Sequence, residues 1–169
     1  VKLWGFYDKD YHVPSRQELS QALDLVDYRE VSLGEDGQAC LGPGQQIDLG
    51  GIGKGFTSQR VTELLRDAGV TSAMVSLGGN IQCLGAKPDG SPWNIGIRDP
   101  FGEDVYAAVR VTDKAVITSG GYERYFKDPD TGNIYRHILD PRTGFPAEKG
   151  LSSVTVITSD GTLGDGLST

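Results

Sequence analysis

The chain has 169 residues, and its 16 Lys and Arg against 23 Asp and Glu give a net charge of −7. This acidic excess argues against general binding to nucleic acid or anionic lipid, because both require a surplus of Lys and Arg. Apolar residues form 37% of the chain but never a membrane-length run, so the composition predicts a packed core and gives no transmembrane helix.

The first predicted helix follows an entry loop. Ser15 followed by Glu18 has the pattern of a capping box, and apolar residues come next at helical spacing. The residues predicted to face inward are Leu19, Ala22, Leu23 and Val26. A hairpin is predicted after this helix, with strands at 29–33 and 38–41 around a turn at 34–37.

A second helix is predicted after a glycine-rich segment. A strand at 47–49 leads into that segment, and the helix is expected over Phe56–Ala68 with Gly69 as its left-handed cap. Its predicted inward face comprises Phe56, Val61, Leu64, Leu65 and Ala68.

Strands bounded by turn residues account for most of the remaining chain. They are predicted at 73–77, 81–84, 93–97, 105–112, 115–118, 122–126, 134–139 and 152–158, and a last helix begins near residue 163. This order predicts an α+β fold, a largely antiparallel sheet with packed helices, in a single domain over residues 1–169.

The segment Asp48–Gly55 has two interpretations. Glycines and Lys54 at the start of a helix suit a phosphate, since backbone N–H groups, the helix dipole and an ammonium group all favour an anion. The alternative is a tight turn with a solvated Lys54. The spacing matches neither a Walker A loop, which requires Ser or Thr after the lysine, nor a dinucleotide-binding fingerprint.

Two further glycine-containing segments are candidate ligand loops. Ser76–Asn80 can bring backbone close to a planar ligand, or it can form a bulged turn. Ser119–Tyr122 offers the same choice between a ligand-contacting loop and a plain hairpin turn. The residues alone leave both alternatives open.

His137 is a candidate for phosphate binding or proton transfer. If the strand continues through it, His137 and Leu139 share one face, with Arg136 and Ile138 on the other. A histidine beside an arginine can bind a phosphate or move a proton. A structural histidine with satisfied hydrogen bonds is the equal alternative.

Asp165 and Thr169 lie four residues apart, on one face of the last predicted helix. Together they offer a carboxylate and a hydroxyl to a hard cation such as Mg²⁺. The alternative is that Asp165 is an acid in the first helical turn, favoured there by the helix dipole.

Cys40 and Cys83 are isolated and lack the CxxC spacing of a redox or metal motif. We expect both to be buried free thiols, with a disulfide as the alternative.

Five segments occur in an order typical of one family. They are Asp48–Gly55, Ser76–Ile81, Ile117–Phe126, His137–Gly144 and Asp165–Thr169. Over nearly the whole chain this series resembles the ApbE family, the FAD:protein FMN transferases. The resemblance implies an α/β architecture of the T-fold type and Mg²⁺-dependent cleavage of FAD. It further implies that FMN passes to a Thr or Ser hydroxyl of an acceptor protein and that AMP is released.

The resemblance also implies roles for individual residues. The backbone carbonyl of Gly51 and the side chains of Asp165 and Thr169 match the family's metal ligands. His137 matches the catalytic position beside the pyrophosphate, where a histidine can handle a proton. The positions that match FAD contacts are Asp48, Lys54, Gly79, Asn80, Ser119, Gly120, His137 and Ile138.

The chain departs from the family pattern at several points. Gly53 and Gly166 stand where the family usually has Ala, and Gly166 should weaken its helix by about 1 kcal/mol. The family's N-terminal segment and its last strand and helix have no counterpart here, so we expect a soluble fragment of a longer protein. The resemblance implies that the longer protein is exported, periplasmic or anchored at the cell surface by lipid.

Two alternative functions remain open at this point. One is an FAD pyrophosphatase that releases free FMN to water. The other is a flavin-binding protein without turnover. A neighbouring reading frame with a short acceptor motif for flavin attachment would favour transfer over both.

Overall fold

The computed structural model describes all 169 residues, which form three α-helices and ten strands. In chain order these are α1 (Arg16–Leu23), β1 (Ser32–Leu33), β2 (Ala39–Cys40), α2 (Gly53–Asp67), β3 (Ala73–Leu77), β4 (Asn80–Leu84), β5 (Trp93–Arg98), β6 (Val105–Val111), β7 (Ala115–Gly120), β8 (Tyr125–Lys127), β9 (Ile134–Arg136), β10 (Ser153–Thr158) and α3 (Gly161–Ser168). Short 3₁₀ turns occupy Lys2–Trp4 and Tyr28–Glu30.

The chain divides into two compact units. Unit 1 consists of Val1–Asp48 and Gly121–Gly150, and unit 2 consists of Leu49–Gly120 and Leu151–Thr169. Unit 1 contains α1 and the two-stranded hairpins β1–β2 and β8–β9. Unit 2 contains a four-stranded sheet, the β5–β6 hairpin, and helices α2 and α3.

Unit 1 is built around aromatic side chains. Trp4 is 1% exposed, and its ring lies within 6.3 Å of the rings of Phe126, Tyr135 and Phe145. Its indole N–H donates to the carbonyl oxygen of Gly144 at 2.9 Å, so the one polar atom of the ring is satisfied. Rings of this size supply much of the buried apolar area that a small unit needs.

Helix α1 begins as the sequence predicts. The Ser15 hydroxyl accepts from the Glu18 backbone N–H, and the Glu18 carboxylate accepts from the Ser15 backbone N–H, which confirms the capping box. The helix ends at Leu23, so Val26 lies beyond it and is exposed, against the prediction. Leu19 is the buried residue of this helix.

Unit 2 is organised by an antiparallel sheet in the order β10–β7–β4–β3. Helix α2 packs against β3 and β4, and α3 packs against β7, β10 and α2. One apolar cluster of the unit is formed by Cys83, Ile95, Val111 and Val116. The prediction of an α+β fold with antiparallel sheet and packed helices is therefore confirmed.

The hydrophobic face predicted for α2 is wrong. Phe56 and Leu64 are exposed, whereas the helix buries Gly55, Ser58 and Thr62. The reason is a close approach to α3, because a methyl group added at Gly55 would lie 2.2 Å from the Gly161 carbonyl oxygen. Small residues permit that approach, and large apolar ones do not.

Several predicted strand limits also change. Residues 47–49 form no strand, and α2 begins at Gly53 rather than at Phe56. The strand predicted at 122–126 is β8, which begins only at Tyr125. Ser119 and Gly120 continue β7 and pair with β10, so they do not form a separate loop.

The two cysteines differ from each other. Both are free thiols, and Cys83 is buried as expected, but Cys40 is exposed. Burial raises the pKa of Cys83 to about 11, so this thiol stays protonated at neutral pH and packs as an apolar group.

Candidate functional site

The N-terminus of α2 is capped by a side chain from α3. The N-cap residue Ile52 offers no side-chain acceptor, but the Asp165 carboxylate Oδ2 accepts from the Gly55 N–H at 2.7 Å. A carboxylate in this place satisfies an otherwise unpaired amide and lies at the positive end of the helix dipole. Lys54 lies in the same first turn with its side chain exposed.

Asp165 is a buried carboxylate without an ion-pair partner. It is 1% exposed, and Gly55 N–H is the donor that reaches its side chain. Since α3 begins at Gly161, Asp165 lies in the second helical turn, so its interpretation as a first-turn acid of α3 is wrong. A buried negative charge with one neutral donor is incompletely compensated, and a cation at the second oxygen would compensate it.

Thr169, which also matches a metal ligand, contacts the backbone of Asp165, and Gly51 lies close to Thr169. The Thr169 hydroxyl donates to the Asp165 backbone carbonyl at 3.2 Å. A methyl group added at Gly51 would lie 3.7 Å from Thr169 Cγ2 and 3.9 Å from its Oγ1. No group of three or more His, Cys, Asp or Glu side chains is arranged to hold a metal. A cation here would depend on one carboxylate with neutral oxygens, a donor set that suits Mg²⁺ better than Zn²⁺.

Four residues that match flavin contacts also lie in unit 2. Gly78 and Gly79 form the tight turn between β3 and β4, with φ of +52° and +88°, angles that a side chain would strain. Gly120 is buried at the end of β7, and the Ser119 hydroxyl lies 2.8 Å from that of Ser168. The turn at Gly78 and Gly79 is a regular two-residue hairpin turn rather than a bulge.

Asn80 is fully buried between β4 and α2. Its side-chain oxygen accepts from the Ser58 hydroxyl at 2.7 Å, while its amide nitrogen lacks a partner. The side chain therefore fixes the helix against the sheet and has no exposed surface for a ligand in this structure.

His137 lies in unit 1, directly after β9. The strand ends at Arg136, so its predicted limit at residue 139 is wrong, although His137 and Leu139 both pack against the apolar cluster that contains Phe6. The His137 N–H and its ring Nδ1 both lie 3.1 Å from the Arg124 carbonyl oxygen, so the backbone bond extends the β8–β9 register by one position and the same oxygen contacts the ring. Ile138 follows it and is partly buried.

The ring geometry defines the tautomer of His137. A carbonyl oxygen can only accept, so Nδ1 carries a hydrogen, and in the neutral ring Nε2 holds the lone pair. The His137 and Phe6 rings pack at a centroid distance of 6.2 Å with their planes 66° apart. Such an arrangement suits a proton acceptor with a defined orientation.

Asp48 is the remaining predicted FAD contact and also belongs to unit 1. Its carboxylate accepts a hydrogen bond from the Tyr7 hydroxyl, and this bond raises the pKa of Tyr7. The pair is exposed, so both side chains can be reached from solvent.

The segment after His137 forms a rigid turn. The Arg142 guanidinium and backbone N–H both donate to the Asp140 carboxylate, which holds the pKa of Asp140 well below its usual range. The N–H of Gly144 donates to the Asp140 carbonyl at 2.8 Å. This part of the family-like string therefore shapes the loop.

Sequence reasoning missed two residues that contact the predicted metal ligands. Gly55 donates to Asp165, and Ser168 donates to the Asp165 carbonyl from the end of α3. Glycine in the first turn of a helix is a weak signal by itself. Ser168 adjoins Thr169 in the sequence, which is the signal that could have found it.

These observations define a class of protein. An antiparallel α+β fold carries a buried carboxylate, Asp165, that caps a neighbouring helix, with the Thr169 hydroxyl at the backbone carbonyl of the same residue. The chain belongs to the ApbE family, whose model matches residues 1–169.

Similar proteins carry flavin transferase names. The chain is 38% identical to the FAD:protein FMN transferase of Klebsiella pneumoniae and 40% identical to that of Treponema pallidum, covering 98% and 100% of this chain. It covers 51% of each of these relatives, so it spans about half of their length.

Solved structures share the fold. The ApbE protein of Thermotoga maritima matches with a TM-score of 0.91 and 40% identity, over 99% of this chain and 54% of that one. The flavinyl transferase ApbE of Pseudomonas stutzeri, in its apo form, matches with a TM-score of 0.83 and 36% identity, over 99% and 52%. None of the helices described here has the length and apolar character needed to cross a bilayer.

Proposed function

We propose that the protein acts in the Mg²⁺-dependent transfer of FMN from FAD to a Thr or Ser hydroxyl of an acceptor protein. The family match over residues 1–169 supports this proposal, as do the flavin transferase names of its relatives. The observation that carries it is the buried Asp165 carboxylate, which has a single backbone donor, with the Thr169 hydroxyl at the backbone carbonyl of the same residue.

The reaction exchanges a phosphoanhydride bond for a phosphoester bond. The acceptor hydroxyl forms a bond to the FMN phosphorus while the pyrophosphate bond to AMP breaks. The hydroxyl loses its proton, and AMP leaves as a phosphate anion. The protein therefore has to bind the phosphates, neutralise the charge that develops on them and accept one proton.

Asp165, Thr169 and the Gly51 carbonyl are the residues that would hold Mg²⁺. When bound, this ion supplies positive charge to the phosphate oxygens. The Gly55 N–H donates to one oxygen of Asp165, so the other oxygen would be the one to bind the ion.

Lys54 is proposed to bind the pyrophosphate. Its side chain is exposed in the first turn of α2, where its ammonium group can donate to a phosphate as a point charge. Asp48 is proposed to contact FAD together with the backbone at Gly79, Ser119, Gly120 and Ile138.

His137 is proposed to accept the proton of the acceptor hydroxyl. Because Arg124 holds Nδ1 as the donor, Nε2 of the neutral ring is the basic atom. His137 then returns to the neutral form by releasing the proton to water.

The test is a mass measurement. The complete product of this gene, and the chain alone, would be incubated with FAD, Mg²⁺ and an acceptor peptide. We expect the peptide to gain the mass of FMN less one water, and a peptide with Val in place of the acceptor Thr to gain nothing. Free FMN with an unchanged peptide would identify an FAD pyrophosphatase, and bound but intact FAD would identify a flavin-binding protein. Either result would overturn the proposal.

The cellular site of action is proposed from the family resemblance. The complete gene product would be exported and attached by lipid at the periplasmic or cell-surface face of the membrane. Cell fractionation with protease treatment of intact cells tests this, since a cytoplasmic protein would remain protected.

A further inference from the structure

An apolar cavity of about 200 Å³ lies within unit 1, between α1 and the turn that follows His137. Its walls are apolar side chains from three parts of the chain. They include Val1, Leu19, Leu23, Val26, Leu139 and Pro141. We call this space the Val1 cavity, because the first residue of the chain lines it.

One wall of the Val1 cavity is the apolar face that the sequence predicts for α1. Leu19, Ala22, Leu23 and Val26 have the spacing of a buried helical face, and all four line the cavity. Unit 1 buries only Leu19 among them and leaves Val26 55% exposed. The apolar face therefore extends beyond the part of it that unit 1 covers.

The size and lining of the cavity fit aliphatic side chains better than a bound metabolite. Small-molecule sites enclose roughly 300–1,000 Å³ and present a few converging polar groups. The Val1 cavity is smaller, and the carboxylate on its wall, Asp140, already accepts from the Arg142 guanidinium. What the cavity offers an occupant is therefore apolar contact.

The amino group of Val1 indicates which part of the protein supplies those side chains. Burial lowers the pKa of this amino group, since an ammonium charge is disfavoured beside an apolar wall. A peptide nitrogen at the same place has no charge to desolvate. This chain covers 51% of the flavin transferases of Klebsiella pneumoniae and Treponema pallidum, so a gene product of their length has further chain to continue from Val1.

We propose that the residues directly preceding Val1 in the complete gene product place apolar side chains in the Val1 cavity and complete the hydrophobic contacts of α1. The covalent link at Val1 holds these residues at the cavity, so they bind without the loss of translational freedom that a separate molecule incurs. Val26 then becomes buried, as its spacing predicts. The inference concerns unit 1 alone and does not depend on the proposed flavin transfer.

Cysteine labelling tests whether the cavity is filled in the complete gene product. The exposed Cys40 would be replaced by Ser, and Val26→Cys would be compared with Tyr28→Cys, a control two residues away where the native ring is 85% exposed. For each variant, the rate of maleimide labelling in the folded protein is compared with its rate in concentrated urea. We expect folding to slow labelling at position 26 at least about 30-fold more than at position 28. A smaller difference would overturn the proposal.

A photo-crosslink identifies what fills the cavity. A diazirine-bearing residue at position 26 would be activated in a mixture of ordinary and isotopically labelled complete protein, and the joined peptides would be sequenced. A link to a peptide that precedes Val1 in the same molecule supports the proposal. A link to a peptide after Thr169, to a second copy or to a small molecule overturns it, as does a gene product with no residues before Val1. Melting temperatures check that each variant is folded.

Discussion

The two units are stabilised in opposite ways. Unit 1 is stabilised by the packing of large aromatic rings around Trp4. In unit 2, the helices instead pack through glycine, which lets their backbones come close, and through buried polar groups. At Gly55 the backbones of α2 and α3 approach so closely that a methyl group would overlap the Gly161 carbonyl. Six of the seven buried polar or charged residues of the chain lie in unit 2: Ser58, Thr62, Asn80, Gln82, Asp165 and Ser168.

The difference matters for the proposed chemistry. An aromatic cluster tolerates small rearrangements, because its contacts are non-directional. A helix pair joined by an N–H to carboxylate bond at 2.7 Å fixes the position of Asp165 much more narrowly. Unit 1 instead carries His137, whose proposed role as a proton acceptor requires only one correctly oriented ring nitrogen.

The largest effect is expected at His137. His137→Asn removes the proton acceptor but leaves a side chain of similar polarity, so turnover should fall about 10²–10⁴-fold while FAD still binds. Single-turnover kinetics with separately measured FAD affinity check this. If affinity collapses and the rate per bound FAD is normal, His137 is a binding residue only.

The next effect concerns the aromatic core of unit 1. Trp4→Ala should lower the free energy of unfolding by about 3–5 kcal/mol, because it leaves a cavity and an unpaired Gly144 carbonyl. Urea denaturation measures this. Tyr28→Ala is the matched control, since that ring is 85% exposed and its loss should change stability by less than about 0.5 kcal/mol. Equal losses in both variants would contradict the aromatic account of unit 1.

Gly55→Ala is the corresponding change in unit 2. It should destabilise the protein by about 1–3 kcal/mol, because α2 and α3 must separate and Asp165 loses its donor. Gly53→Ala is the control in the same helical turn, where no atom lies within 4 Å of the added methyl group. That variant should be as stable as wild type or slightly more so. A similar loss at both positions would show that the close helix approach is not the cause.

Lys54→Ala tests ligand binding rather than stability. Loss of one charge-assisted hydrogen bond to a phosphate should weaken FAD binding by about 1.5–3 kcal/mol. Fluorescence titration with FAD measures it, and Lys87→Ala, far along the chain in a turn, is the control. Unchanged affinity in Lys54→Ala would exclude the phosphate role.

Local signals in the sequence predicted much of the fold. The capping box at Ser15 and Glu18 is read from four consecutive residues, and β3 follows from its alternation and its bounding turns. The left-handed cap at Gly69, with φ of +84°, is likewise confirmed because it depends only on its own backbone.

The errors occur where distant residues decide the structure. The buried face of α2 depends on Gly161 and Asp165, and the Gly55–Asp165 bond joins residues 110 positions apart. Helical periodicity seeks large apolar residues and so selected Phe56 and Leu64. The proximity of Gly51, Asp165 and Thr169 was expected from family resemblance, since their spacing in the sequence does not reveal it.

The most direct test of the account is the effect of Mg²⁺ on thermal stability. The melting temperature of the complete gene product would be measured with and without Mg²⁺ for wild type, Asp165→Asn, Asp165→Ala and Thr169→Ala. A ligand that binds only the folded state raises stability by RT ln(1 + [L]/Kd), so wild type should shift upward. Asp165→Asn, whose amide oxygen can still accept from Gly55, should melt close to metal-free wild type yet show no Mg²⁺ shift. Asp165→Ala should melt below metal-free wild type and also show no Mg²⁺ shift. Thr169→Ala should keep a Mg²⁺ shift smaller than that of wild type. Equal Mg²⁺ shifts in wild type and both Asp165 variants would contradict the account, because Asp165 would then serve only to cap α2.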